Sequence, residues 1–504
     1  MRAGSRAGGE ATAPTSGAPE RLTGATVNAV AWQGLSFVLG KLLVLVATVV
    51  LARVLGPEEF GLVSLALVFI GLVEVMADFG VAQALIVHKD SRRAADAALA
   101  FTVLAGFLLG AATFVGAPYL AQALGDPAIA DFLRVLALSF VLASFGIVPD
   151  VLLRRDLLFK RRLAVGLSAN ATRGIVSIAL ALGGAGAWAL VYGQLAAVTV
   201  MSIVAWTRVR YRPDLRWWRL RWGDLSPLLA FGAPTAANGL LNTIILNVDY
   251  IVVSHALGAA ALGFYLVAFR VPEMVIVSVF QVLSQVVFPV FSRARGEPER
   301  MRRGYVRMLR LQTSYGVVLG CVLAALAPYL VPVVFGSGWE KSVFPLQALA
   351  VYAVFRSLGM GVVDVLKAMG RPNLALGLSV ARLTLLLPAL VLATAWGIGG
   401  IAVAQAVVAL VFAVVMQLTA GRLLGIRPGQ LFTACGPAIV AGTAAAAAAA
   451  LVAAVAPGTD LVRLLFGLLA AGAVAVALLL GLSTQMRSDL RSLIPRRGRA
   501  GRRA

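Results

Sequence analysis

The chain has 504 residues, of which 60% belong to the apolar set and 13% are charged, and its formal net charge is +22. A soluble globular domain has about 45–50% apolar and about 25% charged residues, so these proportions exclude an ordinary soluble protein. In a soluble protein this charge would indicate a nucleic-acid partner, but here the basic residues lie between apolar runs of membrane-spanning length.

The chain begins with about twenty residues rich in Gly, Ala, Pro, Ser and Thr, which are predicted to be disordered. The apolar stretch from Val27 to Leu55 is too long for the core of a signal peptide and is predicted to be the first membrane helix. About fourteen helices long enough to span a bilayer are predicted in all. They cover 27–54, 60–87, 94–121, 127–149, 162–183, 186–207, 227–256, 259–291, 305–334, 343–368, 371–395, 398–421, 432–456 and 461–483.

The basic residues divide unequally between the two ends of these helices. With the N-terminus inside, 35 of the 44 Arg and Lys residues fall on the cytoplasmic side, six lie within helices, and the opposite side has Arg53, Lys341 and Arg463. This positive-inside asymmetry predicts that both termini are cytoplasmic. Anionic membrane lipids, and not nucleic acid, are then the expected partner of the charge.

The segment 150–163 alternates apolar and basic residues at roughly helical spacing. This pattern is typical of an interfacial helix lying on the cytoplasmic leaflet. A charged loop that only enforces the topology is an equal alternative.

A short motif recurs 202 residues along the chain, at the junction of an odd helix with the next even one. Leu55, Gly56, Gly61 and Ala66 of LGPEEFGLVSLA match Leu257, Gly258, Gly263 and Ala268 of LGAAALGFYLVA. Six helices separate the two copies, so both halves would insert with the same orientation, as in parallel transporter repeats. Chance recurrence in a chain rich in Leu, Gly and Ala is the alternative.

Several segments resemble the polysaccharide-transport flippases of the multidrug/oligosaccharidyl-lipid/polysaccharide exporter superfamily. They are ARVLGPEEFGLVSLA (52–66), DFGVAQALI (78–86), NVDYIVVSHALGAAALGFYLVAFRVPE (247–273) and FPVFSRARGEPERMRRGYVRMLR (288–310). The similarity covers most of residues 20–425, and the two LG-x4-G junctions are fairly specific to the polysaccharide branch.

The resemblance implies an all-α integral membrane fold, with two six-helix lobes around a central cavity and two additional C-terminal helices. The expected divisions are a disordered cytoplasmic tail (1–22), two lobes (23–210 and 211–425), a helix pair (426–484) and a basic cytoplasmic tail (485–504). It also implies translocation of undecaprenyl-pyrophosphate-linked oligosaccharide from the inner to the outer leaflet of a bacterial cell membrane. The expected partners are this glycan, a polysaccharide polymerase and a chain-length regulator, and no cofactor is expected.

Five basic residues are predicted to lie near the middle of the bilayer. Counted from the helix ends they are roughly 16–21 Å deep, and they come from five helices of both lobes: Lys41, Arg173, Arg270, Arg356 and Arg382. A charged side chain at this depth costs about 2.5–3.5 kcal/mol on insertion scales. Gathered around a wet cavity, these cations would bind a pyrophosphate, for which arginine is well suited.

The alternative to substrate binding is that a nearby carboxylate neutralises the charge of each cation. Glu273 follows Arg270 by three residues, and Asp364 follows Arg356 by eight residues on the same helical face. Local pairing explains Lys41, Arg173 and Arg382 less well.

Three carboxylates are candidates for ion coupling. Glu74 and Asp78 lie four residues apart on one face of the second helix, which suits a carboxyl pair that shares a proton, although both could instead pair with cations such as Lys41. Asp249 belongs to the second junction pattern and lies nearer the outer end of its helix, where it would gate or pair. His88 and His255 are far apart, and Cys321 and Cys435 lie in apolar runs, so neither a metal site nor a disulfide is expected.

Other functions remain as alternatives at this stage. A multidrug antiporter for organic cations would need an acidic or aromatic cavity, against which five midplane cations argue. A lipid II flippase would need the same cationic site. A membrane glycosyltransferase or polymerase usually needs a large outer loop or acidic residues for metal and sugar chemistry, but the predicted outer loops are short and no DxD motif occurs. A passive scaffold would leave the cations unexplained.

Overall fold

The computed structural model describes residues 39–77, 79–87, 92–156, 158–214, 222–281, 287, 291 and 296–482, and within them all regular structure is helical. In the first lobe α1 covers 39–54, α2 Pro57–Ala77 and Val81–Val87, α3 Arg92–Leu124, α4 Ile129–Leu136 and Leu138–Arg155, α5 Phe159–Leu182 and α6 Trp188–Arg208. In the second lobe α7 covers Trp222–Leu257, α8 Ala259–Pro272 with a π-helical turn Glu273–Val277, α9 Pro298–Phe335, α10 Val343–Ala368, α11 Pro372–Ala393 and α12 Gly397–Leu424. The last two helices are α13 (Pro428–Val455) and α14 (Asp460–Leu482).

The prediction of about fourteen helices is confirmed. Twelve stretches of the described residues are long and apolar enough to span a membrane, and one of these, 373–424, contains both α11 and α12. Gly397 separates the two with a φ of 65°. The described part of α1 falls short of spanning length, because the rest of the predicted helix 27–54 lies outside the described residues.

The segment 150–163 is divided between two helices, so it forms neither of the two predicted alternatives, a separate interfacial helix or a charged loop. Helix α4 continues to Arg155 and α5 begins at Phe159, so the basic residues divide between two helix ends. Asp150 holds these ends together, because its carboxylate accepts hydrogen bonds from Arg154 at 2.8 Å and Arg162 at 3.1 Å.

Within each lobe the helices pack both on neighbours in sequence and on helices two positions away. In the first lobe α5 packs on α6, and α4 packs on both α3 and α6; in the second, α10 contacts α8, α9 and α12. Helices α13 and α14 pack on α9. The alanine-rich run of α13 explains this close packing, since the fully buried Ala441, Ala445, Ala449 and Ala453 recur every four residues along one face.

The link between the lobes is held against the first lobe. Trp206, at the end of α6, stacks on Tyr211, whose hydroxyl donates a hydrogen bond to the buried Asp96. Burial, together with this bond to Asp96, raises the pKa of the Tyr211 phenol, so the hydroxyl keeps its proton at physiological pH. The link therefore leaves the first lobe in a fixed direction.

The two copies of the repeated motif contact each other in space. A Cβ built on Gly61 of α2 would lie 1.9 Å from the carbonyl oxygen of Ala259, and one built on Gly263 of α8 would lie 2.0 Å from that of Pro57. Each motif glycine thus packs on the first turn of the opposite helix, and only glycine permits this approach. The contact joins the lobes at the end predicted to face outward.

Polar contacts of Arg53 and Trp339 also join the two lobes at this outer end. Arg53 donates hydrogen bonds to the carbonyl oxygens of Val333 and Val334 at the end of α9, the latter at 2.8 Å. The indole nitrogen of Trp339 donates to the carbonyl oxygen of Ala52 at 2.9 Å. These bonds fasten the outer end of α1 to the second lobe.

A second pair of glycines joins the lobes towards the predicted cytoplasmic end. Helix α2 is interrupted there, with positive φ at Phe79 (44°) and Gly80 (70°). A Cβ built on Gly80 would lie 2.0 Å from the carbonyl oxygen of Gly232 on α7. The lobes are therefore in backbone contact near both ends of α2. Glu74 lies on the same helix between the two contacts.

Candidate functional site

A cluster of charged residues joins the two lobes between these contacts. We call Lys41, Glu74, Arg173, Arg270 and Glu273 the inter-lobe cluster. Lys41 of α1 lies 3.9 Å from one carboxylate oxygen of Glu273 on α8, and Arg270 lies 3.7 Å from the other. The predicted local pairing of Arg270 with Glu273 is confirmed. The same carboxylate also binds a cation from the opposite lobe, which sequence spacing did not indicate.

Glu273 occupies an unusual place in its helix. It is the first residue of the π-helical turn and directly follows Pro272. Single π turns inside α-helices are frequent at functional sites. Here the turn packs on α9 and α10, and its Glu273 carboxylate faces Lys41 of α1 and Arg270.

The first lobe contributes Arg173 and Glu74 to the cluster. The charge of Arg173 on α5 interacts with that of Glu74 on α2 and with that of Arg270 on α8. The structure thus brings together three of the five predicted cations. Asp78, predicted as the partner of Glu74, lies outside the described residues.

The remaining two cations, Arg356 and Arg382, meet at an aromatic ring. Their guanidinium carbons lie 5.9 and 6.0 Å from the ring centroid of Tyr352, which is within the range of cation–π attraction. Arg382 also donates a long hydrogen bond of 3.5 Å to the Tyr352 hydroxyl. The buried Nε of Arg382 has no hydrogen-bond partner in the described part of the chain. The charge of Arg356 interacts with Glu273, which connects this pair to the inter-lobe cluster.

Arg356 and Arg382 line a cavity of about 550 Å³ within the second lobe. It lies between α7, α10, α11 and α12, and we call it the second-lobe cavity. Asp364, the predicted partner of Arg356, lines it too. Tyr352 and Glu273 are the residues near the cations that sequence reasoning did not assign to the site. For Tyr352 the available signal was its position one helical turn before Arg356.

Asp249 lies in the core of the second lobe. It is fully buried, and one of its carboxylate oxygens accepts a hydrogen bond of 2.9 Å from the Tyr265 hydroxyl. The amide of Gln405 on α12 is adjacent. Asp249 thus lies between α7, α8 and α12. Ring contacts lead from Tyr250 through Phe269 to Tyr352, edge-to-face in the first pair and tilted in the second.

The fold is that of a many-span membrane protein. Among solved structures it is similar to the lipid II flippase MurJ in an inward closed conformation, with a TM-score of 0.71 and 13% identity over 90% of this chain and 99% of that one. It is also similar to an inward-facing multidrug resistance MATE family transporter of the MOP superfamily, with a TM-score of 0.66 and 17% identity over 77% and 94% of the two chains. At these identities the likeness establishes the fold alone.

The family follows from the sequence comparison. Residues 50–344, more than half of the chain, match the family described as "Polysaccharide biosynthesis protein", and the chain belongs to that family. It is 27% identical to the lipopolysaccharide biosynthesis protein WzxC of Escherichia coli (strain K12), over 73% of this chain and 75% of the relative. It is 26% identical to the teichuronic acid biosynthesis protein TuaB of Bacillus subtilis (strain 168) and 27% identical to the succinoglycan biosynthesis transport protein ExoT of Rhizobium meliloti (strain 1021). These last two matches cover 60% of this chain, and 62% and 61% of the relatives.

Proposed function

We propose that the protein is a flippase that moves an undecaprenyl-pyrophosphate-linked oligosaccharide from the inner to the outer leaflet for export of a surface polysaccharide. The main support is the convergence of five cations from five helices between and beside the two lobes. Among the described residues, the inter-lobe cluster sets three cations, Lys41, Arg173 and Arg270, against the two carboxylates Glu74 and Glu273. An anionic ligand would complete the charge balance.

The geometry at Glu273 suits exchange of one anion for another. Its separations of 3.9 and 3.7 Å from Lys41 and Arg270 exceed the 2.7–2.9 Å of a strong charge-assisted hydrogen bond. Both cations are therefore held near a carboxylate without being tightly bound to it. An entering pyrophosphate offers shorter bonds and more oxygen acceptors, so it can displace Glu273 from the two cations.

The proposed movement is alternating access of the two lobes. In the present conformation Gly61 and Gly263 hold the outward end closed, aided by Arg53 and Trp339. The head group would enter from the cytoplasmic side while the polyprenyl chain stays in the bilayer. Rocking of the lobes would then separate the outer glycines and release the head group outward.

Four related proposals concern the organisation of the chain and its partners. Both termini are cytoplasmic, the divisions fall near residues 210 and 425, and anionic lipids contact the basic loops. A polysaccharide polymerase and a chain-length regulator would take up the product. The names of the three relatives all refer to polysaccharides and one to transport, which favours a flippase for surface glycans over an enzyme, a drug antiporter or a lipid II flippase.

The test is transport in proteoliposomes with a fluorescent undecaprenyl-pyrophosphate oligosaccharide. Arg270→Glu places a carboxylate beside Glu273, so transport should be abolished while membrane insertion is retained. The matched control is Arg463→Glu, because Arg463 forms an ion pair of 3.7 Å with Asp460 at the predicted outer end of α14 and not at midplane. Full transport by the Arg270 variant would overturn the proposal.

A further inference from the structure

The second-lobe cavity is a site separate from the inter-lobe cluster. None of Lys41, Glu74, Arg173, Arg270 and Glu273 is among the residues that line it. Its volume of about 550 Å³ lies in the range of pockets for small organic ligands, about 300–1,000 Å³. A ligand there would contact the second lobe only.

The charge of the cavity favours an anion. Among the described residues that line it, Arg356, Lys367 and Arg382 are cationic and Asp364 is the carboxylate. The guanidinium of Arg382 has five N–H donors, and its hydrogen bond to Tyr352 is long. Because Arg382 lines the cavity, the terminal N–H groups of its guanidinium are available to a ligand.

The rest of the lining does not suit a bare pyrophosphate. Phe355, Phe412 and Met416 give the cavity large apolar surfaces, and the amides of Asn242 and Gln281 offer both donors and acceptors. Pyrophosphate has no carbon surface to cover and needs donors only. A sugar ring has C–H surfaces that pack on aromatic rings and hydroxyl groups that pair with amides. With the cations added, the lining matches a sugar that bears a carboxylate.

The cavity is also placed for a sugar attached to the pyrophosphate. Arg356, Met360 and Asp364 follow one another every four residues, so one face of α10 lines the cavity from midplane towards the predicted cytoplasmic end. At the midplane end, the charge of Arg356 interacts with Glu273 of the inter-lobe cluster. The two sites are thus adjacent, with Glu273 between them.

We propose that the second-lobe cavity binds an acidic sugar of the transported glycan, a uronic acid or a similar carboxylate-bearing ring, while the inter-lobe cluster binds the pyrophosphate. This inference rests on the flippase function proposed above. The second lobe would then select among glycans, whereas the inter-lobe cluster would recognise the pyrophosphate that such lipids share.

The test is binding to the purified full-length protein in nanodiscs, measured by calorimetry. The probes are a glucuronate-containing trisaccharide, the same trisaccharide with its carboxyl group reduced to an alcohol, and inorganic pyrophosphate. We expect the acidic trisaccharide to bind at least about tenfold more tightly than the reduced one, the discrimination that one charge-assisted hydrogen bond provides. Saturating pyrophosphate should not displace it.

Two variants assign the probes to the two sites. Arg382→Gln should weaken the acidic trisaccharide at least about tenfold and leave pyrophosphate within about twofold, and Arg270→Gln should do the opposite. Arg463→Gln is the control and should change neither. Equal binding of acidic and reduced trisaccharides, competition by pyrophosphate, or equal loss of both ligands in Arg382→Gln would overturn the inference.

The transport assay separates this result from the flippase proposal. If wild-type protein flips pyrophosphate-linked glycans but binds both trisaccharides equally, only the inference about the acidic sugar fails. If acidic sugar binds at Arg382 but no lipid-linked glycan is flipped, the flippase proposal fails and the cavity assignment stands.

Discussion

Helices α2 and α8 join the two lobes in two different ways along their length. At their first turns Gly61 and Gly263 bring backbone against backbone, with no room for a side chain. Further along the same helices the contacts are between charged groups: Glu273 lies 3.7 Å from Arg270 and 3.9 Å from Lys41. The charge of Glu74 interacts with that of Arg173. A contact that only has to close can therefore be tight and specific, whereas one that must exchange partners with a substrate is charged and loosely paired.

The largest expected effect is at the tight contact. Gly61→Ala would place Cβ 1.9 Å from the Ala259 carbonyl oxygen, and overpacking of this kind costs about 1–3 kcal/mol. The outward-closed conformation should lose population by about 5- to 150-fold. Transport in proteoliposomes should fall by at least about tenfold.

Gly71→Ala is the matched control for this variant. Gly71 lies on the same helix, but nothing lies within 4 Å of its Cβ position, so both variants share the gain in helix propensity and differ only in the clash. Transport by Gly71→Ala should stay within about twofold of wild type. Unimpaired transport by Gly61→Ala would show that the glycine contact is not part of the cycle.

An intermediate effect is expected at Glu273, whose ion pairs with Lys41 and Arg270 are long. Glu273→Gln removes the carboxylate that competes with phosphate for Lys41 and Arg270. Calorimetry should show pyrophosphate binding about tenfold more tightly, equal to about 1.4 kcal/mol, while turnover falls because release becomes slower.

Glu299→Gln is the corresponding control. Glu299 also pairs with an arginine three residues along, Arg302 at 3.0 Å, but it lies at the start of α9 on an exposed surface. It should change neither binding nor turnover. Weaker pyrophosphate binding by Glu273→Gln would mean that this carboxylate orders the cations and does not compete with the ligand.

The smallest effect is expected at Tyr352. Tyr352→Phe keeps the ring near Arg356 and Arg382 and loses the hydroxyl, which hydrogen-bonds Arg382 over 3.5 Å and also interacts with Arg356. Binding of the acidic trisaccharide should change by less than about threefold, whereas Tyr352→Leu removes a cation–π contribution of about 0.5–2 kcal/mol and should cost more. Equal losses in both variants would assign the role to the hydroxyl and not to the ring.

The fold could largely be predicted from the sequence, because a bilayer imposes a minimum length and apolarity on each span. That is why the fourteen helices are confirmed. The break at Phe79 and the π turn at Glu273 were not predicted. Both depend on packing against helices distant in sequence, such as the approach of Gly232 to Gly80.

The site could be predicted in part. Counting along helices placed Lys41, Arg173 and Arg270 at one depth, and the structure brings them together. Counting along helices could not show that Lys41 shares Glu273 with Arg270, because no local pattern links residues on α1 and α8. Nor could the repeated motif, recognised in sequence, show that its two glycines contact each other.

The flippase function can be tested in cells that lack this gene, by extracting polyprenyl-pyrophosphate glycans and determining the leaflet in which they lie. Such glycans should accumulate on the cytoplasmic leaflet, and a surface polysaccharide should be lost. Reintroducing the wild-type gene should reverse both changes, and the Arg270→Glu form should reverse neither. An unchanged lipid pool together with altered drug susceptibility would contradict the flippase function and indicate a multidrug transporter.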